Sequence, residues 1–261
     1  MDTAFQELLK NTKLRLLKMH REANAGHLGG NFSCIDALMT LHHKVMAQHD
    51  RFILSKGHSA GALYATLWSQ GKLSDTDLAT FSKDNSLLPG HPSGRGIPGL
   101  LFSTGSLGHG PSLAAGIAVA LKQKKSDQRV FCLCSDGEWQ EGSCWEALTF
   151  STHNRLDNLT ILIDQNGLQG YGYTKDVVSY DDLTSRLLAF GAQVQTVNGH
   201  NTQEIENALK TTSQNQPNIV VLNTVKGRDL HHEGKMESHY LPLTEEQYLL
   251  ACSKIKGRKP L

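Results

Sequence analysis

The sequence predicts an α/β domain, a doubly wound parallel sheet with helices on both faces. Three observations carry that expectation. Short, almost unbroken apolar runs at 51–55, 129–134, 159–163, 192–197 and 219–222 have the length and composition of strands buried on both faces. Stretches with helical spacing separate them, which favours parallel crossovers over hairpins. Polar, glycine-rich clusters close four of the runs: Ser55-Lys56-Gly57-His58, Ser135-Asp136-Gly137-Glu138, Asp164-Gln165-Asn166-Gly167 and Thr224-Val225-Lys226-Gly227. Ligands of open parallel sheets bind beyond the carboxyl ends of the strands, so the four clusters mark one candidate site.

Taken in order, residues 2–24 place Phe5, Leu8, Leu9, Leu14, Leu16 and Leu17 at helical spacing. That helix ends in the turn Gly26-His27-Leu28-Gly29-Gly30. A second helix is expected from Ser33, with Ser33 as N-cap and Asp36 three residues on as an imperfect capping box. The strand at 51–55 stops at Lys56-Gly57-His58 and passes into another helix. Residues 84–110 are rich in Gly, Pro and Ser and lack periodicity, which predicts a long loop of the functional kind. A helix over 111–124 opens at Pro111, whose missing N–H suits a first turn. No repeat, low-complexity tract or linker interrupts the pattern, so residues 1–261 are expected to form a single domain.

The composition, 39% hydrophobic and 20% charged with a formal net charge of +1, is that of a globular protein. It offers no basic surface for nucleic acid and no polybasic segment for an anionic membrane. No apolar run approaches the roughly 18 residues of a membrane span, and the N-terminus lacks a signal-peptide core, so a cytoplasmic protein is expected. The five cysteines form no disulfide framework, and Cys132 and Cys134 read as strand packing rather than a metal pair. Neighbouring helix side chains point about 100° apart, which argues against His42-His43 and His231-His232 as paired ligands. Trp68, Trp139 and Trp145 read as packing residues, and 122–125 as a solvated helix end.

Asp136-Gly137 follows one strand and Asn166 the next, with 28 residues between Gly137 and Asn166. A carboxylate and an amide oxygen at adjacent strand ends can face one cation, and such hard oxygen ligands suit Mg2+. Gly137 permits close approach of a phosphate, and the helix after it offers N–H groups to an anion. The residues alone leave two readings, a Mg-diphosphate site or a pair of ordinary loop caps, since Asx residues are favoured in turns.

This spacing resembles the motif shared by many thiamine diphosphate enzymes, and the flanking segments resemble the N-terminal half of transketolase. The similar segments are Gly26-His27-Leu28-Gly29-Gly30, Ser55-Lys56-Gly57-His58 with Ala62-Leu63-Tyr64, Pro89-Gly90-His91-Pro92 and Ser103-Thr104-Gly105-Ser106-Leu107-Gly108. They continue with Ser135-Asp136-Gly137-Glu138, Gln140-Glu141-Gly142, Trp145-Glu146-Ala147, Lys226-Gly227 and Ser238-His239, in collinear order over nearly the whole chain. The resemblance implies the diphosphate domain of the thiamine diphosphate-binding fold, with thiamine diphosphate and Mg2+ as cofactors. It implies that Asp136, Asn166 and the carbonyl of Leu168 coordinate Mg2+, and that Gly137, His58 and His239 contact the diphosphate. Gly105 and Leu107 would border the cofactor rings. His27 and His91 would meet the ketose hydroxyls near the reacting carbon, with His239 also counted among the catalytic residues. Glu141 and Glu146 resemble carboxylates at the subunit contact that communicate with the cofactor's pyrimidine.

Complete transketolases carry a second domain that binds the aminopyrimidine ring and contributes a glutamate to it. No second set of strands for it is found in the sequence. The resemblance therefore implies a split enzyme in which this chain is the N-terminal subunit. Its partner would be a C-terminal transketolase subunit, and the assembly an α2β2 heterotetramer. The implied reaction moves a two-carbon ketol unit from a ketose, as a sugar phosphate or related sugar, to an aldose. Ser135 stands where glycine is usual in the family, and His109 where glutamine is common; neither removes a ligand. The alternatives are another thiamine diphosphate enzyme subunit, like deoxyxylulose-phosphate synthase or the α-subunit of a 2-oxo acid dehydrogenase, and a non-catalytic cofactor-binding scaffold. His91 favours a ketose donor over a pyruvate.

Overall fold

All five apolar runs are strands of one parallel sheet. In this computed structural model, which describes residues 2–179 and 182–257, they are β1 (Arg51–Leu54), β2 (Val130–Ser135), β3 (Leu159–Gln165), β6 (Gln193–Asn198) and β7 (Asn218–Asn223). The order across the sheet is β1-β2-β3-β7-β6. A small antiparallel hairpin, β4 (Leu168–Gln169) with β5 (Gly172–Tyr173), follows β3. The helices are α1 (Thr3–Ala23), α2 (Leu28–Thr40), α3 (Ala60–Ser69), α4 (Asp75–Leu78), α5 (Gly110–Gln123), α6 (Gly142–His153), α7 (Thr174–Val177), α8 (Leu183–Ala189), α9 (Thr202–Lys210), α10 (Glu237–Tyr240) and α11 (Glu245–Gly257).

Strand side chains alternate between faces, and the two hydrophobic clusters follow that alternation. Phe52, Leu54, Phe131, Leu133, Leu162, Val220 and Leu222 pack with apolar residues of α1, α2, α3, α9 and α11. Ile53, Val130, Cys132, Cys134, Ile161, Ile163, Ile219 and Val221 pack with α5, α6 and α8. The sheet is therefore doubly wound, as the near-continuous apolar runs imply. Cys132 and Cys134 are fully buried strand residues, and all five cysteines are free thiols. Trp139 is buried edge-on to Trp145 with centroids 5.2 Å apart, and Trp68 packs against the core. Among the described residues no helix is long and apolar enough to cross a membrane.

Three local expectations need correction. The second helix begins at Leu28, not after Ser33, and its N-cap position is His27 in a left-handed conformation with φ 60°. Gly29 and Gly30 lie inside this helix because packing, not turning, selects them: a Cβ on Gly29 would stand 2.5 Å from the Ser238 carbonyl oxygen. Ser33 is an interior residue whose hydroxyl donates to Asp164 at 2.5 Å and lies 3.0 Å from the Gly30 carbonyl. The 122–125 end of α5 is solvated as expected, with Gln123, Lys124 and Lys125 exposed and the Lys122 ammonium donating at the surface to Asp157 at 2.7 Å and to the Arg155 carbonyl. The long loop falls as expected, with no helix or strand assigned between α4 and α5. Pro111 sits in the first turn of α5.

Asp36 belongs to no capping box. It is 2% exposed and joins three helices: Lys13 of α1 lies 2.5 Å away, and His200 before α9 donates through Nδ1 at 2.9 Å. The other imidazole nitrogen lies 2.9 Å from the Val225 N–H and accepts it, so the ring's Nδ1–H is the donor to Asp36. Burial would raise the Asp36 carboxyl, but Lys13 and His200 outweigh it and hold the group below its ordinary range. A depressed folded-state value stabilises above the unfolded range near ~3.9 and is lost as pH falls through the folded value. Asp36→Asn is accordingly expected to lower unfolding free energy by about 1–3 kcal/mol at neutral pH and to converge with the native chain in acid. Urea unfolding at the two pH values measures both; a gap that persists in acid would contradict this account.

Candidate functional site

Parallel registration of β2 with β3, Ser135 opposite Asp164, brings the two strand ends to one level. Asp136, 5% exposed, accepts the Gly137 N–H at 2.8 Å and the Gly167 N–H at 2.6 Å. Asn166 donates its amide to Asp164 at 3.1 Å, and its oxygen accepts the Leu168 N–H at 3.1 Å. The Asp136 carboxylate, the Asn166 amide oxygen and the Leu168 carbonyl thus belong to one hydrogen-bonded turn. Burial first, then the charge of Asp164, raises the Asp136 carboxyl to about 6. A divalent cation at these oxygens would reverse that shift, and an all-oxygen donor set fits Mg2+. Gly137 is a cradle that a side chain would fill, because a Cβ there would stand 2.7 Å from Gln169 Oε1. After it comes a short 3-10 turn, Gly137–Gln140, rather than a helix with free amides, and the Gly137 N–H is already given to Asp136.

Beneath this turn lies a buried ion pair. Asp164 shares its face of β3 with Leu162, the side covered by α2, and is 0% exposed. Its carboxylate receives Lys56, Ser33, Thr224 and Asn166. Lys56 is also 0% exposed and donates a further bond to the Gly30 carbonyl at 3.2 Å. Burial disfavours both charges, yet each holds the other ionised: Asp164 stays below, and Lys56 above, its ordinary value.

Four imidazoles from distant parts of the chain meet above the strands. The His27 ring centroid lies 4.9 Å from His239, 5.7 Å from His91 and 6.0 Å from His58, and His58 lies 5.7 Å from His239. The His27 backbone N–H donates to the His239 carbonyl at 2.9 Å, while its Nδ1 is buried without a hydrogen-bond partner. Lys226 ties this group to the oxygen turn, donating 2.8 Å bonds to the Leu168 carbonyl and to His239 Nδ1. An ammonium only donates, so His239 accepts through Nδ1 and a neutral ring carries its proton on Nε2. Burial lowers all four histidines, His239 to about 3, and lowers Lys226 to about 8. Neutral imidazoles can each donate one bond and accept another.

The remaining residues predicted from the sequence divide. Gly105 lies against the His91 ring, 3.1 Å from where its Cβ would be. Leu107 is half-buried in the same loop, its carbonyl accepting from His109 at 3.1 Å. Glu141 precedes α6 and Glu146 lies on it; both are exposed, and among the described residues neither has a contact that brings it into the imidazole group. Sequence reasoning missed Glu138, which is 0% exposed and accepts the Ser55 hydroxyl, the Gly108 N–H at 2.8 Å and the Ser135 N–H at 3.2 Å. It pins the loop containing Gly105 to the ends of β1 and β2; its place beside Asp136-Gly137 was the only signal. Lys56, Asp164 and Lys226 likewise had no role assigned to them. A cavity of about 170 Å³ lined by Lys13, Asp36, His200 and Arg228 holds none of the predicted site residues.

Oxygen donors, buried lysines and imidazoles gathered at the carboxyl ends of a parallel sheet define an α/β domain of the class that binds a phosphorylated cofactor there. The family model described as transketolase, thiamine diphosphate binding domain, matches residues 6–259, and the chain belongs to the transketolase family. It is 36% identical over 261 residues to an apulose-4-phosphate transketolase subunit of Phocaeicola vulgatus, covering 95% of this chain and 92% of that one. It is 36% identical over 243 residues to the 6-deoxy-6-sulfo-D-fructose transketolase subunit SqwG of Clostridium sp. strain MSTE9, covering 88% of each. Among solved structures, a transketolase from Leishmania mexicana matches with a TM-score of 0.89 and 26% identity over 97% of this chain; the chain spans only 41% of that protein.

Proposed function

We propose that this chain is the N-terminal subunit of a transketolase that moves a two-carbon ketol unit from a ketose to an aldose with thiamine diphosphate and Mg2+. The observation that carries the reading is the group of four imidazoles joined through Lys226 to the Leu168 carbonyl, in the turn where Asn166 and Asp136 also bond. Bound thiamine diphosphate supplies the carbanion chemistry. The chain's own residues bind, orient and move protons. Asp136, the Asn166 amide oxygen and the Leu168 carbonyl hold Mg2+, while His58, Gly137 and His239 hold the diphosphate. Gly105 and Leu107 border the cofactor rings. His27 and His91 hold the sugar hydroxyls and carry a proton near the reacting carbon, with His239 behind them; imidazoles kept neutral by burial can do both.

Two relatives matched along 92% and 88% of their own length are named as transketolase subunits, which supports a second chain here too. We assign the pyrimidine-binding domain to that C-terminal subunit in an α2β2 heterotetramer, with the exposed Glu141 and Glu146 at the contact. Five free thiols support a cytoplasmic setting. The same relatives are named for a phosphorylated and a sulfonated sugar, which favours an anionic ketose over pyruvate as donor. Ketol transfer is expected only when this chain, the C-terminal subunit, thiamine diphosphate and Mg2+ are combined with a ketose and an aldose. Product analysis checks it; turnover by the chain alone, or consumption of pyruvate in place of the ketose, would overturn the reading.

A further inference from the structure

Asn31, in the first turn of α2, is 1% exposed, and both ends of its amide are engaged. Its oxygen accepts the Ala62 N–H at 2.6 Å. That N–H lies in the first turn of α3, where the helix itself offers no acceptor and the N-cap Ser59 makes no side-chain bond. The NH2 end donates to the His27 carbonyl at 2.8 Å and faces the His58 carbonyl and His20 Nε2, each at 3.4 Å. His20 fixes which end is nitrogen. Its Nδ1 lies 3.2 Å from the Leu16 carbonyl, which can only accept, so Nδ1 carries the proton and Nε2 turns a lone pair to the amide. Burial lowers His20 to about 4, so the ring is neutral at neutral pH.

We infer that Asn31 is a positioning residue for the reaction: its amide holds the peptide groups of His27 and His58 at a fixed spacing. The inference rests on the proposed reading of this site. The two histidines come from different turns, one before α2 and one after β1, with ring centroids 6.0 Å apart. In that reading one faces the sugar and the other the diphosphate, so their spacing sets how the sugar meets the cofactor. Lys56 and Ser59 also join these turns, but both end on the Gly30 carbonyl. Asn31 instead grips His27 itself, whose backbone stands in the left-handed region at φ 60°. A residue with a Cβ stays there only when its surroundings over-determine it. His27 is held at both peptide ends, its N–H by the His239 carbonyl at 2.9 Å and its carbonyl by Asn31. Helix α3 closes directly over the clamp, because a Cβ on Gly61 would stand 2.3 Å from the His20 ring and 3.1 Å from the Asn31 oxygen.

The test is a pair of double-mutant cycles in the enzyme reconstituted with its C-terminal subunit. Asn31→Asp keeps the size of the side chain and the acceptor for Ala62, but turns an oxygen toward two carbonyls and a lone pair. At saturating Mg2+ and thiamine diphosphate it is expected to lower kcat/KM for the ketose about 10- to 100-fold, the scale of a small misplacement near reacting atoms. Its affinity for thiamine diphosphate should fall about 3- to 10-fold, the loss of one hydrogen bond. With His27→Gln already present, the same substitution should cost less than about 3-fold in kcat/KM, because the ring it positions is gone. With His58→Gln present, the affinity loss should likewise vanish. Asn31→Ala, which removes the clamp without adding charge, should repeat this pattern. Additive losses in the two backgrounds would overturn the inference, as would a lowered thermal midpoint with native kinetics, since either makes the amide structural only. Failure of both Asn31 variants to fold would do the same. If His27→Gln alone leaves ketol transfer at its native rate, the reading of the site fails instead.

Discussion

Asp136→Ala is expected to abolish measurable Mg2+-dependent cofactor binding and to reduce turnover of the reconstituted enzyme by at least ~100-fold. Loss of a group that merely orients a metal ligand typically costs 10- to 100-fold, so loss of the one carboxylate in this donor set should exceed that. Alanine also leaves the Gly137 and Gly167 amides without their acceptor in a buried turn. That part of the effect would appear as lost stability, about 1–3 kcal/mol for each unpaired donor. Asp136→Asn separates the two consequences. It keeps an oxygen acceptor for one of the two amides, which bond separate carboxylate oxygens, so the cofactor-free protein should lose less stability than Asp136→Ala does. Its Mg2+ affinity should still collapse, because a neutral amide is a weak replacement for a carboxylate on a small hard cation. Calorimetric titration of Mg2+ with thiamine diphosphate present, beside steady-state turnover, measures both variants. Native affinity and turnover in Asp136→Ala would strike out the metal site.

Much of the architecture could be read from the sequence because a parallel sheet covered on both faces leaves a strong trace. Runs such as 129–134 are apolar at almost every position, and all five became strands within a residue or two. The order of those strands could not be read. β7 lies between β3 and β6 because crossovers choose their neighbours in three dimensions, and no residue within the strand encodes that. The start of α2 was misplaced because glycine has two uses. Gly29 permits close approach of Ser238 inside a helix, and the same letter in a sequence signals a turn.

The site was legible where chemistry coincides with position at a strand end. Asp136 and Asn166 are separated by about one crossover, and the parallel sheet places such residues side by side. His27, His58, His91 and His239 gather only after folding, and the family resemblance rather than their spacing joined them. Glu138, Lys56, Asp164 and Lys226 had no role assigned for a physical reason. Charged residues are mostly exposed, and only the packed structure shows which have been withdrawn from water.

Asp164→Ala is expected to destabilise the chain by about 3–5 kcal/mol, because it leaves Lys56 as an uncompensated charge with no exposure to solvent. Ser33 and Thr224 lose the same acceptor, which adds to the effect. Loss of this size exceeds a third of the stability of many domains, so chemical unfolding should show a much lower midpoint. The pair is more than a brace, however. Asp164 also receives the Asn166 amide N–H, which sets which end of that side chain is oxygen and aims it away from the ion pair. The double variant Lys56→Met with Asp164→Leu tests the two roles apart. Replacing a buried pair by apolar residues is often neutral or stabilising, so most of the lost stability should return. The orientation of Asn166 should not return, and Mg2+ affinity should stay about 10- to 100-fold below native, the usual effect of removing a group that orients a ligand. If the double variant recovers both folding and Mg2+ affinity, Asn166 needs no support from Asp164, and the ion pair serves the fold alone.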